Sequence, residues 1–131
     1  MEVVRYYSRG GSTKLIAEAI AEELKVKAIS VDQSDAQLTE EVDVLFLGGA
    51  LYAYGLDKHL KKYISTLNGR LVKKAVVFST SWFSKHALTI MKNMLKEKGI
   101  DVSEEYIYHR GKPSVEALNL AKEVAKKYAN N

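Results

Sequence analysis

Short runs rich in Val, Ile, Phe and Tyr alternate along this chain with longer stretches of helical period. The first run, Val3 to Tyr7, stops at Ser8-Arg9-Gly10-Gly11-Ser12-Thr13. Ile16, Ile20 and Leu24 then recur every four residues, with Leu15 and Ala19 beside them, while Glu18, Glu22 and Lys25 point elsewhere. That spacing predicts an amphipathic helix. A short strand, Val26 to Val31, follows, and the polar residues 32–42 leave room for one or two poor helical turns. Val44-Leu45-Phe46-Leu47 does not alternate, as expected of a strand buried on both faces. It ends at Gly48-Gly49. Asp57 is placed to cap a helix with Leu60, Ile64 and Leu67 inside and Lys58, Lys61 and Lys62 outside, ended by Asn68-Gly69. Ala75-Val76-Val77-Phe78 predicts another buried strand. Leu88, Met91 and Leu95 mark the next helix, closed by Gly99, and Glu105 to Tyr108 forms the fifth strand. Pro113-Ser114 opens a last helix with Leu118, Ala121, Val124, Ala125 and Tyr128 facing in.

The string is β-α-β-(α)-β-α-β-α-β-α. Right-handed crossovers place the helices on both faces of a parallel sheet, so the fold class is α/β, a three-layer doubly wound five-stranded sheet. Ligands bind such sheets outside the carboxyl ends of the strands, near the topological switch point. Function is therefore expected in the loops after Tyr7, Leu47 and Phe78.

Composition narrows this. At 131 residues the expectation is a single domain, residues 1–131. The absence of Cys excludes a disulfide scaffold, a thiolate metal site and a cysteine nucleophile. No stretch reaches the roughly 18 apolar residues of a membrane span. The start, Met1-Glu2-Val3-Val4-Arg5, lacks the layout of a signal peptide, so a cytoplasmic protein is expected. None of His59, His86 and His109 has a second ligand at metal spacing, so no metal is expected, and His59 and His86 read first as surface residues. The net charge of +4 is too small to imply nucleic acid. Its distribution is uneven: residues 1–57 hold 5 basic and 10 acidic side chains, residues 58–131 hold 15 and 6.

Three loops could carry chemistry. In Ser8-Arg9-Gly10-Gly11-Ser12-Thr13 two glycines let the backbone expose several N–H groups in one direction. The following helix adds its unpaired N–H groups and the positive end of its dipole. With three hydroxyls and Arg9, this is a phosphate cradle; the alternative is a tight glycine turn with a serine cap. It matches neither G-x-x-x-x-G-K-[ST] nor G-x-G-x-x-G, and a receiver domain is disfavoured because Tyr7-Ser8 and Leu47-Gly48 stand where its carboxylates belong. In Gly48-Gly49-Ala50-Leu51-Tyr52-Ala53-Tyr54-Gly55, small residues and two tyrosines suit a flat aromatic ligand, unless one tyrosine covers the core. In Ser79-Thr80-Ser81-Trp82-Phe83 the hydroxyls and the only Trp could read a ring's polar edge. The alternative is a helix N-cap by Ser84 or Ser81 with the aromatics packed beneath.

Tyr6-Tyr7-Ser8-Arg9-Gly10-Gly11-Ser12-Thr13-Lys14, followed by Asp43-Val44-Leu45-Phe46-Leu47-Gly48, resembles a short-chain flavodoxin, and the element order agrees over the whole chain. The resemblance implies strand order 2-1-3-4-5 and non-covalently bound FMN at the carboxyl edge. It implies that Ser8, Arg9, Gly10, Gly11, Ser12 and Thr13 hold the FMN phosphate. Ala50, Leu51, Tyr52, Ala53, Tyr54 and Gly55 would flank the isoalloxazine ring from one side, and Ser79, Thr80, Ser81, Trp82 and Phe83 from the other. The implied function is an FMN electron carrier between redox partner proteins, a reductase and an acceptor. The alternatives are an FMN oxidoreductase acting on a quinone or porphyrin-type substrate, similar to flavodoxin-like protoporphyrinogen oxidases, and a fold-only interaction module.

The chain departs from that family in four places. Gly10 stands where the family usually has Thr, and Arg5 stands in a central strand where it has an aliphatic residue. Ala53 rather than Gly follows Tyr52, although Gly55 follows Tyr54. The familiar members are acidic, whereas this chain is net basic. With the family's strand order, residues 30–57 (6 acids, no bases) fall toward strand 2 and residues 58–112 (12 bases, 4 acids) toward strands 4 and 5.

Overall fold

Alternate residues of a strand point to opposite faces, and here each face is covered by its own helices. In the computed structural model, which describes residues 1–52, 55–82 and 85–129, β1 (Glu2–Tyr6) sends Val4 and Tyr6 to one layer and Arg5 to the other. In β3 (Val42–Gly48), Phe46 joins the first layer, Leu45 and Leu47 the second. Both layers are sealed from water, so β3 reads as an unbroken apolar run.

The remaining strands are β2 (Ala28–Ser30), a hairpin pair β4 (Leu51–Tyr52) and β5 (Gly55–Leu56), β6 (Val72–Ser79) and β7 (Asp101–Tyr108). The parallel sheet has the order β2-β1-β3-β6-β7, which is 2-1-3-4-5 when the hairpin is set aside. The chain reverses direction across the sheet between β1 and β3, and this is the switch point. Register is fixed by pairs such as Val4 with Ala28 and Phe46, and Gly48 with Phe78.

Helices α1 (Ser12–Leu24) and α4 (Val115–Lys127) cover the layer built on Val4, Ile16, Ile20, Phe46 and Phe78. Helices α2 (Lys58–Ser65) and α3 (His86–Glu97) cover the layer of Leu45, Leu47, Leu60, Ile64, Val77, Met91 and Leu95. Residues 32–42 yield only a 3-10 turn, Ser34–Ala36, as their polarity predicts. Asp57 caps α2 by accepting the His59 N–H at 2.7 Å, and Ser114 caps α4 by accepting from Ala117 at 3.2 Å.

Several strands differ in extent from the periodicity reading, β6 by beginning at Val72, three residues before Ala75. β7 begins at Asp101, four residues before Glu105. It is the edge strand, and its first half alternates exposed and covered positions, so it carries polar residues that mask the strand signal. Conversely β2 spans only three residues.

The charge layout also differs in one respect. Tyr63 of α2 donates to the Ala36 carbonyl at 2.5 Å, and Lys62, Tyr63 and Thr66 face Val31, Asp32 and Gln37 across a groove. Lys62 of α2 therefore lies beside Asp32 near β2, not toward the last two strands. The crossover into β6 runs back over β1 and β3, and linear charge counts do not register that.

Arg5, unexplained by sequence, is 7% exposed. Its Nε donates to the Ala36 carbonyl at 2.8 Å and its Nη1 to the Val4 carbonyl at 3.1 Å. The buried guanidinium is thus held by backbone dipoles and pins the 3-10 turn to the sheet. Tyr63 shares the same carbonyl. Burial raises its phenol above the ordinary value, against an opposing pull from Arg5.

Candidate functional site

The loops leaving the carboxyl ends of β1, β3, β6 and β7 enclose a cavity of about 370 Å3, within the range of small-ligand sites. Ser8, Gly10, Ser12 and Thr13 line it from the first loop, Ala50 and Leu51 from the second, and Thr80, Ser81 and Trp82 from the third. Gly111, after β7, completes the lining.

The first loop is shaped for an anion. Gly11 sits at φ +95°, a left-handed conformation that glycine adopts without steric cost. Ser8 Oγ accepts the Gly11 N–H at 3.0 Å, which curls the loop. Gly11 has no side chain to cap α1, and the first helical bond runs from Leu15 N–H to the Gly11 carbonyl at 3.1 Å. The N–H groups of Ser12, Thr13 and Lys14 are therefore left without helical acceptors at the positive end of the helix dipole. A serine capping that helix, the plain structural alternative, is not what the loop builds. A Cβ at Gly10 would meet nothing within 4 Å, so the space a Thr would fill stands open.

Hydroxyls tie the first and third loops together. Thr13 Oγ1 and Thr80 Oγ1, both buried, are 2.7 Å apart. Ser79 Oγ, fully buried, accepts the Ser81 N–H at 3.1 Å, and Tyr108 Oη donates to the Ser81 carbonyl at 2.7 Å. Ser81 is 1% exposed and its Oγ has no hydrogen-bond partner among the described residues, yet it lines the cavity. Leaving a buried hydroxyl unpaired costs about 1–3 kcal/mol, and a polar group bound in the cavity that Ser81 lines would satisfy it. That hydroxyl, the α1 amides and the apolar Ala50, Leu51 and Trp82 suit a flat aromatic ligand carrying a phosphate.

Trp82 is 62% exposed and leans on Gly111, where a Cβ would come within 2.4 Å of its ring. It is not packed beneath the loop. The N-cap of α3 is Lys85, with no side-chain cap bond, so Ser81 does not cap that helix. The Gly111 N–H donates to the Thr80 carbonyl at 3.2 Å, which fixes this fourth wall. Gly111 escapes a reading of the first three loops. Its signal is the polar Arg110-Gly111-Lys112 stretch directly after the fifth strand.

Arg9, Gly11, Gly55 and Ser79 lie outside the lining, Gly11 and Ser79 shaping their loops from behind it. Arg9 Nη2 pairs with Asp57 Oδ2 at 3.3 Å and bridges the first loop to the start of α2. Burial pushes the Asp57 carboxyl up, but the His59 backbone N–H, the His59 ring at 3.0 Å and Arg9 outweigh it and hold the group below the usual carboxylate range. The Arg9 charge is thus offset locally by Asp57. His59 also stacks on Tyr7, centroids 4.8 Å apart, so its ring, 41% exposed, joins this bridge at the surface. Gly55 turns the hairpin at φ +100°. Ala53, Tyr54, Phe83 and Ser84, and the side chain of Tyr52, lie outside the described residues. Among the described residues no group of His, Cys, Asp or Glu could hold a metal ion, and no helix is long and apolar enough to cross a membrane.

Comparison with known proteins agrees with this geometry. A family model described as a flavodoxin domain matches residues 3–124. An uncharacterized protein of Methanocaldococcus jannaschii is 26% identical over 138 residues, covering 92% of this chain and 91% of that protein. An archaeal flavodoxin structure superposes with a TM-score of 0.77 at 23% identity, covering 98% of this chain and 95% of the other. Oxidised Flavodoxin 1 from Bacillus cereus gives 0.78 at 22%, covering 97% and 95%. Rubredoxin oxygen:oxidoreductase from Desulfovibrio gigas gives 0.84 at 17%, covering 95% of this chain but 34% of that one.

Proposed function

Because this chain belongs to the flavodoxin domain family, we propose that it is an electron carrier that binds FMN in the cavity above β1, β3 and β6. Electrons pass between a donor and an acceptor protein. Bound FMN supplies the redox chemistry, and the protein supplies binding, orientation and electrostatics. The N–H groups of Ser12, Thr13 and Lys14, with the Ser8 and Ser12 hydroxyls, hold the phosphate. Ala50, Leu51 and Trp82 flank the ring and exclude water from it. The observation that carries this reading is the buried Ser81 hydroxyl, unpartnered among the described residues and belonging to a residue that lines the cavity; it would supply a hydrogen bond to the polar edge of a ring.

An enzyme with its own quinone or porphyrin-type substrate is disfavoured. β7 starts two residues after Gly99 and runs to Tyr108, leaving no inserted segment to hold a second substrate.

The test is colour. The purified protein should show flavin absorbance, and a flavin-stripped sample should quench added FMN fluorescence at one equivalent. Absence of both would defeat every FMN reading and leave a protein-interaction module. Rapid turnover of quinones or protoporphyrinogen would instead reverse the ranking of carrier and enzyme.

A further inference from the structure

Beside the cavity, the α3–β7 edge carries a patch that the FMN site does not use. Lys85 Nζ donates to the Tyr106 hydroxyl at 2.9 Å, and Lys92 Nζ stands 5.2 Å from the centre of the same ring. Arg110 and Lys112 flank Gly111 at the cavity rim and are exposed. Among the described residues none of these four cations is paired with a carboxylate; Lys25, Lys27, Lys62 and Lys96 share that state, and what sets the patch apart is that Lys85 and Lys92 converge on one exposed aromatic ring, at 5.1 and 5.2 Å from its centre. The first turn of α3 has no acidic residue and no side-chain cap, so the helix dipole adds positive potential at Lys85. Asp101 lies at the far end of β7; Glu104, two residues before Tyr106, is the exposed acid nearest the patch along the strand.

The patch is also apolar. Tyr106 is 39% exposed, Leu120 67% and Trp82 62%. Tyr106 and Leu120 border a groove of about 380 Å3 that includes Lys85 and His109. Exposed aromatics among uncompensated cations have the makeup of an interface centre and rim. Like charges held together without counterions lose repulsion when carboxylates arrive, and such complementarity sets on-rate and orientation.

We propose that the face formed by Lys85, Lys92, Tyr106 and Leu120, continuous with Trp82 and the cavity rim, docks an acidic redox protein. The proposal rests on the carrier reading and assigns the charge of the partner. Docking there brings the partner against the exposed Trp82, at the edge of the candidate cofactor site.

Cytochrome c and its succinylated form serve as probes, since they share a haem but carry opposite surface charge. Haem quenching of Trp82, the only Trp of the chain, reports docking without any flavin. Reduction of the haem by the FMN-loaded, reduced protein reports transfer. At low ionic strength the acidic cytochrome should bind at least tenfold more tightly than the basic one, and salt should abolish the difference. K85E/K92E should lose at least tenfold of that affinity. K25E/K27E makes the same change in net charge on exposed lysines outside this face, and should lose less than threefold. Circular dichroism confirms that both variants fold.

Preference for the basic cytochrome, or equal losses in the two variants, would overturn the proposal. So would displacement of the acidic cytochrome by a thymidine oligonucleotide at equal charge concentration, which would mark the face as a nucleic-acid surface. Quenching without reduction would leave docking standing and defeat the carrier reading. Reduction without charge preference would do the reverse.

Discussion

Gly48→Ala tests the packing that sets the floor of the site. Gly48 ends β3 and pairs in register with Phe78 of β6. A Cβ at Gly48 would lie 2.0, 2.3 and 2.4 Å from three atoms of the Phe78 ring, well inside ordinary contact. Phe78 is fully buried against Ile16, Phe46 and Ala121, so the ring has nowhere to retreat. Overpacking of this kind costs about 1–3 kcal/mol, offset by about 0.5–1 kcal/mol from replacing a strand glycine. Weighting the close overlap toward the upper end, the net loss should be about 2 kcal/mol. With an unfolding entropy of roughly 2.1 cal/mol/K per residue, that lowers Tm by about 7 °C. Thermal and urea unfolding followed by circular dichroism measures it. Phe78→Leu alone should cost about 1–1.5 kcal/mol by leaving space. The double variant should be at least 1 kcal/mol more stable than the sum of the two, because each change relieves the other. A Gly48→Ala protein within 0.5 kcal/mol of wild type, or strict additivity, would refute the steric account.

Four further outcomes follow from the same geometry. Ser81→Ala should leave stability unchanged or raise it by up to about 1 kcal/mol while weakening FMN about tenfold, read by calorimetry and fluorescence titration. Gly10→Thr should tighten FMN several-fold in fluorescence titration without loss of Tm, because the added side chain enters open space and offers the phosphate a hydroxyl. Asp57→Asn keeps a capping oxygen but loses the charge facing Arg9 and His59, costing about 1 kcal/mol at pH 7. The folded-state pKa of Asp57 is depressed, so that difference is present above the ordinary carboxylate range and closes as pH falls below about 4, visible in urea midpoints across pH. Arg5→Met should stay within about 1.5 kcal/mol of wild type, since Ala36 keeps the Tyr63 hydroxyl as donor and a buried charge is removed; a loss above 3 kcal/mol in urea unfolding would show that the guanidinium holds the 3-10 turn alone.

Local chemistry alone suffices for much of this protein. The unbroken apolar runs of β3 and β6 are readable because both of their faces are buried. The helical stripes are readable because one face of each helix must meet the sheet. Asp57 and Ser114 declare their caps, since few side chains can satisfy a helix start. The Ser8–Thr13 loop is recognisable because glycine before a helix exposes amides wherever it occurs. Strand alternation also implies which sheet ends face the ligand, and nine of the anticipated site residues do line one cavity.

What the tertiary fold decides is who meets whom across long sequence separations. Gly48 and Gly49 read as room for a ligand, but their Cβ positions belong to Phe78 and Leu60. Arg5 finds its acceptor 31 residues away, in a turn with no sequence signature of its own. Arg9 reads as a phosphate cation, and it pairs with Asp57 because the crossover from β3 returns beside the first loop. Lys62 of α2 falls beside Asp32, while Lys85 and Lys92 converge on Tyr106 at the α3–β7 edge. Periodicity reports which face of an element is dry. Register, crossover handedness and side-chain length decide which partner that face receives, and those are properties of the assembled sheet.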